Sequence, residues 1–548
     1  MNRMGVLMRL AAVSLCISAA LAAAADGQIP EPVAAEHWAY MGVAELTEKY
    51  GTDKRLPEGK PCTKDELVEC LLLVLKKIAA MYEKDGPQAM QRDDLETINN
   101  LIAALEGDLE QRADYRTVRQ TINRALALIE FAVPLYRYKF GVNGIGRGEG
   151  ARNFSLPDLA YDRDDDDGQL VYRIKPYVYW HPKDYVFLHL EGQGYGFTDG
   201  SDHHGRYSLY QGFVEARLPE SSWFNFKGGR QEFSYGSSFI LGSDSFYDGL
   251  SFDAARLRLR PRTSFTVDVL GGRYATPFSG GVEGELMGAY VTYADSEDNA
   301  IETYAFRDTG SSDHHSGERV DTLGLRSVHT VGLATLEIEP VYQSGRVRNP
   351  ATGNNESINA FGGHIDVSAE VTYPGIYNPR LFYSPPVVFL SYAIGSGNKE
   401  AAEGGSVRKE FRNPNNDTSL VGDMGFVGDL SGVDIGDHHA SGMQVYTLGA
   451  SFDFTRTLSF TATGRKFVAD VVESGFSRDV GLEADFTLIY TPHRDLTVIA
   501  GYDHFFSGKF IRDASGNRKD MDYLYAMIVF NYERTKRTLI NRGSQYTY

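Results

Sequence analysis

Arg256, Arg258 and Arg260 alternate with Leu257 and Leu259. In a strand successive side chains point to opposite sides, so the three guanidiniums share one face and the leucines the other. Arg173 and Lys175, separated by Ile174, repeat the pattern, and Arg217 is a further candidate for the same face. A row of fixed cations suits a path for carboxylate-bearing molecules. An arginine fork holds a carboxylate in two hydrogen bonds and can hand it to the next fork along. The competing reading is that these cations only balance Glu215, Glu483 and Asp485 across a shared interior.

Other residues could do different chemistry. Three Asp-His-His triplets, at 202–204, 313–315 and 437–439, put His203, His204, His314, His315, His438 and His439 in segments read as loops. Imidazoles beside a carboxylate bind zinc or copper, and three converging loops would make one site. Polar loop composition with no joint site is the simpler alternative. Asp162 and Asp164 to Asp167 form an acidic loop that either holds divalent cations against anionic head groups or is plainly solvated. It is not an EF-hand, because Arg163 falls at the first ligand position and Ile174 where the bidentate Glu belongs. No GxSxG, HExxH, Walker or CxxCH motif occurs, so neither an enzyme nor a bound cofactor is expected.

The elements that would position these residues are strands. In Tyr446-Thr447-Leu448-Gly449-Ala450-Ser451-Phe452-Asp453-Phe454 the even positions are apolar and the odd ones small or polar, and Leu482-Glu483-Ala484-Asp485-Phe486-Thr487-Leu488 alternates likewise. A soluble sandwich would bury the apolar face; a transmembrane β-barrel turns it to lipid and keeps the polar face for a wet lumen. Such a chain needs no long apolar run, so 42% hydrophobic residues fits either case. The N-terminus decides: Arg3 and Arg9, an apolar stretch from Leu10 to Ala24 and small residues at Ala23 and Ala25 have a signal peptide's layout. Removing it takes the net charge from -18 to -20, which argues against nucleic acid as a partner. Cys16 leaves with it, so Cys62 and Cys70 remain in an oxidising compartment, where a disulfide is expected and two free thiols are the alternative.

Eighteen strands can be counted, from 135–146 to 521–532. An even number closes a single-chain barrel with both ends on the periplasmic side. His181-Pro182-Lys183, Pro219-Glu220-Ser221 and Thr455-Arg456-Thr457 are tight turns, whereas 147–168, 234–248 and 396–442 are long loops that face outward. A barrel of this size encloses an aqueous channel.

Residues 26 to about 130 are helical instead. His37-Trp38-Ala39-Tyr40, then Gly51, Pro61 and Thr63-Lys64-Asp65-Glu66-Leu67, resemble one S-layer homology (SLH) repeat. The resemblance implies a peptidoglycan tether acting through Trp38 and Lys64; a plain small helical domain is the alternative. Leu95, Ile98, Ile102, Leu105 and Leu109 recur as a coiled-coil seam. Asp93, Asp94 and Glu96 suit that helix's N-terminal end. A further helix spans Tyr115 to Phe131. The seam either assembles a homotrimer or folds into a helical hairpin.

Phe226-Lys227-Gly228-Gly229-Arg230-Gln231-Glu232, Ser251-Phe252-Asp253-Ala254, Gly395-Ser396-Gly397, Arg465-Lys466-Phe467 and Asp479-Val480-Gly481-Leu482-Glu483-Ala484-Asp485 together resemble the alginate export family of outer-membrane barrels. The resemblance implies eighteen strands and an arginine-lined pore for a polyuronate, with Arg230 carried over as a pore residue. Val498-Ile499-Ala500-Gly501 departs from it, having no arginine where basic residues are common in the family. The expected organisation is a signal peptide (1–25), an SLH-like segment (26–80), a helical or coiled-coil stalk (81–131), an outer-membrane barrel (132–533) and a tail (534–548). The expected function is passive passage of an alginate-like polysaccharide or other hydrophilic solutes. A general porin, or a sheath or envelope tether for a periplasmic cytochrome or secretion machine, is the alternative.

Overall fold

The computed structural model describes residues 31–85 except two, scattered helical positions between 94 and 118, and most of 138–536. The expected signal peptide, most of the helix expected over 115–131 and most of the tail lie outside the described residues.

Alternating sequence becomes alternating structure. The strands are β1 (Tyr138–Arg152), β2 (Asp166–Lys183), β3 (Val186–Phe197), β4 (Arg206–Arg217), β5 (Phe224–Gln231), β6 (Phe252–Arg262), β7 (Phe265–Tyr274), β8 (Glu285–Ser296), β9 (Asn299–Asp308) and β10 (Arg319–Val331). There follow β11 (Ala334–Arg348), β12 (Asn355–Glu370), β13 (Val387–Gly395), β14 (Val407–Arg408), β15 (Gly432–Ile435), β16 (His438–Asp453), β17 (Leu458–Val472), β18 (Asp479–His493), β19 (Leu496–Ser507) and β20 (Met521–Lys536). β14 and β15 are short pieces inside the loop between β13 and β16, which pair with each other directly. The other eighteen form the wall. Its neighbours run antiparallel, and it closes where β1 meets β20, from Tyr138 opposite Lys536 to Arg152 opposite Asp522. Closure leaves no edge, so every wall strand finds its backbone partners within the sheet, as a membrane requires. No helix among the described residues is long and apolar enough to cross a membrane.

The two faces carry opposite chemistry. Leu390, Leu448 and Leu524 are 58–60% exposed, whereas Glu483, Asp485 and Asp503 are at most 2% exposed. Apolar outside and polar inside is the polarity of a lipid-embedded barrel. This chain is therefore an outer-membrane β-barrel with a porin-like fold. The last strand continues to Lys536, so the tail expected from 534 begins three residues later.

Before the barrel lies a helical core. One helix spans Trp38–Lys49 and a second Lys64–Asp85. Thr63 and Glu66 cap the second reciprocally: the Glu66 amide donates to Thr63 Oγ1 at 3.2 Å and the Thr63 amide to Glu66 Oε2 at 2.9 Å. That capping box accounts for the Thr-Lys-Asp-Glu motif by local structure. Of the two arrangements expected for the seam, a chain folded onto itself is the one seen among the described residues: Ile98, Leu105 and Leu109 are fully buried in one core with Leu46, Leu67 and Leu71. Burying the seam internally removes the same apolar area from water that a second chain would. Asp94 is buried against Lys49 Nζ and the Tyr50 hydroxyl, each at 2.6 Å, so it ties this segment to the first helix. The disulfide expectation is corrected too, since Cys62 and Cys70 are free, buried thiols. Each fills a place in the apolar core, and Cys62 is fixed there by backbone hydrogen bonds in both directions with Val33. Burial pushes both thiols above their ordinary range.

Candidate functional site

The candidate site is the lumen. Arg173 and Lys175 on β2 are both buried inside the wall while Ile174 between them is exposed, as the alternation requires. Lys175 Nζ lies 3.8 Å from the centre of the Tyr210 ring. On β4, Glu215 and Arg217 face inward and pair at 3.0 Å, and the Arg217 guanidinium covers Phe187 at 4.0 Å. Arg256 and Arg258 on β6 also face inward. Arg258 is held in a fork by Asp268, at 2.7 and 2.6 Å. Arg260 lies on the same face towards the short-turn end.

Lys227 on β5 completes this basic wall. It stands in register between Glu215 and Arg256, with its Nζ 3.7 Å from the centre of the Phe213 ring. Neither Lys227 nor Arg256 has an ion pair among the described residues, and Arg256 Nε is buried without a hydrogen-bond acceptor. Sequence reasoning used Lys227 only as part of a family motif. Its spacing from Asn225 is the period-2 signal that could have placed it in the lumen.

An acidic group lies on the far side of the ring. Glu483, Asp485 and Asp503 come from β18 and β19, with Asp485 directly opposite Asp503. Arg465 of β17 bonds Asp485 and lies 3.8 Å from Glu483 and 3.7 Å from Asp423 of the loop before β16. Both oxygens of Asp503 are buried without a hydrogen-bond donor. Thus Glu483 and Asp485 are luminal, as expected, but their cation is Arg465 rather than the arginines of β6.

Two of the long loops fold back into the barrel. Phe239 of the β5–β6 loop and Phe411 of the β13–β16 loop are fully buried, with ring centres 5.9 Å apart. The loops are stitched together by Gly242 N to Asn415 O at 2.8 Å, Asp417 N to Ser238 O at 3.0 Å and Asn413 Nδ2 to Phe239 O at 3.1 Å. Ser237 Oγ docks the first loop on Glu339 of β11 at 2.7 Å, and Glu339 also accepts from Tyr304 and contacts His364. The second loop docks through Gln343 Nε2 to Arg412 O at 2.6 Å, and the Asp423 amide donates to Glu483 at 2.9 Å. Gly422 permits the latter contact, because its φ is +97° and a Cβ would fall 2.4 Å from the Glu483 carboxylate.

Arg230 is a correction. It shares the outer face with exposed Phe226 and forks onto Asp253 at 2.8 and 2.9 Å, near the long-loop end of β5. Strict alternation from Asn225 and Lys227 puts it on the side away from the lumen. Of the histidine triplets only 437–439 falls among the described residues. There His439 contacts Asp434 at 2.6 Å and Glu410 at 3.0 Å, while His438 contacts Glu473 at 3.0 Å, so these imidazoles are engaged by carboxylates. His203, His204, His314 and His315 lie outside the described residues, as does the Trp38 side chain. Lys64 pairs with Asp108 at 2.7 Å.

No family model matches the chain, so neither the alginate-export nor the SLH resemblance has support beyond the residues that carry it. No curated protein matches it either. Among solved structures it is similar to the outer membrane protein OpdK from Pseudomonas aeruginosa, at 12% identity and a TM-score of 0.49 over 72% of this chain and 99% of that one. It is also similar to Pseudomonas aeruginosa OccK2 (OpdF) in complex with glucuronate, at 13% and 0.48 over 72% and 96%. A third is Pseudomonas aeruginosa OccK11 (OpdR), at 14% and 0.46 over 72% and 96%. Identities this low transfer no residue role.

Proposed function

We propose that this barrel is a passive outer-membrane channel for small hydrophilic solutes that carry a carboxylate. The observation that carries the reading is the pair Lys227 and Arg256, set side by side on the luminal face with no ion pair among the described residues. Two cations held together in a partly dry lumen lower the barrier for an anion crossing it. Arg173, Lys175, Arg217, Arg258 and Arg260 extend the path, although Arg217 and Arg258 already hold carboxylates of their own. Direction comes from the gradient. The infolded loops favour short acids over the alginate-like polymer that the family resemblance implies. The same loops favour the second reading, a barrel closed at rest that sheathes or tethers a periplasmic partner. The helical unit remains the candidate cell-wall tether through Trp38 and Lys64.

The test is the reversal potential of the full chain in a planar bilayer across a salt gradient, with glucuronate and an oligouronate added in turn. Anion selectivity that falls in Lys227→Gln/Arg256→Gln, with block by glucuronate, supports the proposal. Cation preference without block leaves a general porin, and no conductance leaves the closed sheath.

A further inference from the structure

The outer face of the barrel carries a charged arc at its long-loop end. Arg230, Arg273, Arg307, Arg319 and Arg346 come from β5, β7, β9, β10 and β11, and all point away from the lumen. Strand order makes the arc continuous. Asp253 is in register with Arg230 and Arg273, Glu285 with Arg273, Asp321 with Arg307, and Arg319 with Arg346. Lower on the same faces are exposed Val269, Met287, Ile301, Leu323 and Tyr342, the apolar surface that meets lipid tails. The arginines therefore stand at the level where the head groups of the outer leaflet begin.

Among the described residues their charge is not balanced by carboxylates. Asp253, Glu285 and Asp321 are the carboxylates that pair within the arc, three against five guanidiniums. The mismatch is concentrated at Arg319 and Arg346. Arg346 is exposed and has no ion pair among the described residues, and it lies directly opposite Arg319. Like charges facing each other across a strand pair repel unless an anion lies between them. Arg319 gives two donors to Asp321, at 2.7 and 3.2 Å, which leaves the rest of its fork open. Beside Arg346 on β12, the outer face presents Asn355, Ser357 and Asn359, hydrogen-bonding groups of the kind that suit sugar hydroxyls. On β17 at the same rim two outward charges are matched, Lys466 by Asp479 and Asp470 by Arg478.

We propose that the arc of β5 to β11 binds the phosphorylated saccharide head group of an outer-leaflet glycolipid, with a phosphate seated between Arg319 and Arg346. Guanidinium forks match phosphate oxygens in geometry and charge, and the polar strip on β12 receives the sugar. The apolar belt beneath takes the acyl chains. This site needs the outer-membrane placement alone and is independent of what crosses the lumen.

The test uses the full folded chain in detergent, titrated with lipid A bearing both phosphates and followed by native mass spectrometry. The same lipid with its phosphates removed, and inorganic phosphate as competitor, run in parallel. Losing two charge-assisted contacts in Arg319→Gln/Arg346→Gln weakens binding by about tenfold or more, whereas Lys466→Gln leaves it unchanged. Dephosphorylated lipid A binds the parent protein as weakly as the double variant binds the intact lipid, and millimolar inorganic phosphate leaves the complex intact. If the double variant does not give a folded, heat-modifiable band, Arg346→Gln alone decides, because it breaks no ion pair among the described residues. Equal binding of the phosphorylated and dephosphorylated lipids, displacement by inorganic phosphate, or unchanged binding in the variants overturns the proposal. Bilayer conductance is unaltered in both variants, so failure of the transport reading is separately visible.

Discussion

Lys227 of β5 faces Arg256 of β6 on the luminal wall, and the register that sets these two cations together extends on its other side to Glu215. Glu215 is already engaged by Arg217 at 3.0 Å and by Asn225 at 2.5 Å. The pair is thus a local concentration of positive charge, maintained although like charges directly opposite each other across a strand pair are destabilising.

Removing that charge separates function from stability. Lys227→Gln/Arg256→Gln is expected to lose anion selectivity while its thermal midpoint, read from heat-modifiable electrophoretic mobility, stays level or rises slightly. A fall of the midpoint without a change in reversal potential would instead give the pair a structural role.

Phe239 sits between Phe411 and His364, with ring centres 5.9 and 4.9 Å away. Phe239→Ala removes the apolar anchor of both infolded loops, a truncation that costs ~3–5 kcal/mol in a packed core. Single-channel conductance is expected to rise, with more frequent flicker. A variant as quiet and as narrow as the parent would mean that the hydrogen bonds between the loops hold them unaided.

Asp503 has two buried oxygens without donors, beside Asp485. Asp503→Asn deletes a poorly compensated buried carboxylate and supplies two N–H donors, so it is expected to raise the unfolding temperature in detergent. Arg465→Met does the opposite, since it leaves the acidic group without its cation, a change that costs ~3–5 kcal/mol where a buried pair is broken. Loss of stability in Asp503→Asn would count against the picture of an uncompensated acid.

Glu410 of the β13–β16 loop and His439 form a latch; His439 stands at the outer tip of β16, where it pairs with Asp434 of β15 beyond the paired wall. Burial pushes the Glu410 carboxyl up, but the His439 hydrogen bond, the Arg412 charge and the Ser441 hydroxyl outweigh it and lower it to about 2. Burial pushes His439 down, but its bonds to Asp434 and Glu410 outweigh that and raise it to about 10. The Glu410 contribution is present above its ordinary value of 4.5 and is lost as the pH falls towards about 2. The His439 contribution is complete below 6.5 and is lost as the pH rises through about 10. A nitroxide at Asp437→Cys is therefore expected to be least mobile between those limits and to loosen at both extremes. Mobility that ignores pH in the parent, or that still responds in Glu410→Gln/His439→Gln, would remove the latch.

Cys62 and Cys70 are expected to stay free. After denaturation without reductant, both should react with a maleimide, adding two labels to the intact mass. Before denaturation neither should react, since both thiols are buried and held protonated. A chain that takes no label until reduced would establish the disulfide instead.

Much of the barrel was legible. Tyr446, Leu448, Leu482 and Leu488 point outward, and Thr447, Glu483 and Asp485 inward, as their spacing required. Arg173, Lys175, Arg256 and Arg258 followed the same rule. Arg230 did not, because its placement came from likeness to a family motif, while the alternation from Asn225 through Lys227 pointed the other way. The coiled-coil seam shows a different limit. Apolar spacing specifies that Ile98, Leu105 and Leu109 must be covered, but not by which chain.

The sequence by itself determined the strand count, the inside and outside of each strand and the end at which the long loops lie, because period-2 chemistry and turn length are local properties. Tertiary structure alone decided which loops enter the lumen, that Arg465 rather than a β6 arginine meets Glu483 and Asp485, and that Arg319 faces Arg346. Those relationships join residues that are distant along the chain. They depend on barrel closure and on the register between neighbouring strands, where a slip of one residue exchanges lumen for lipid.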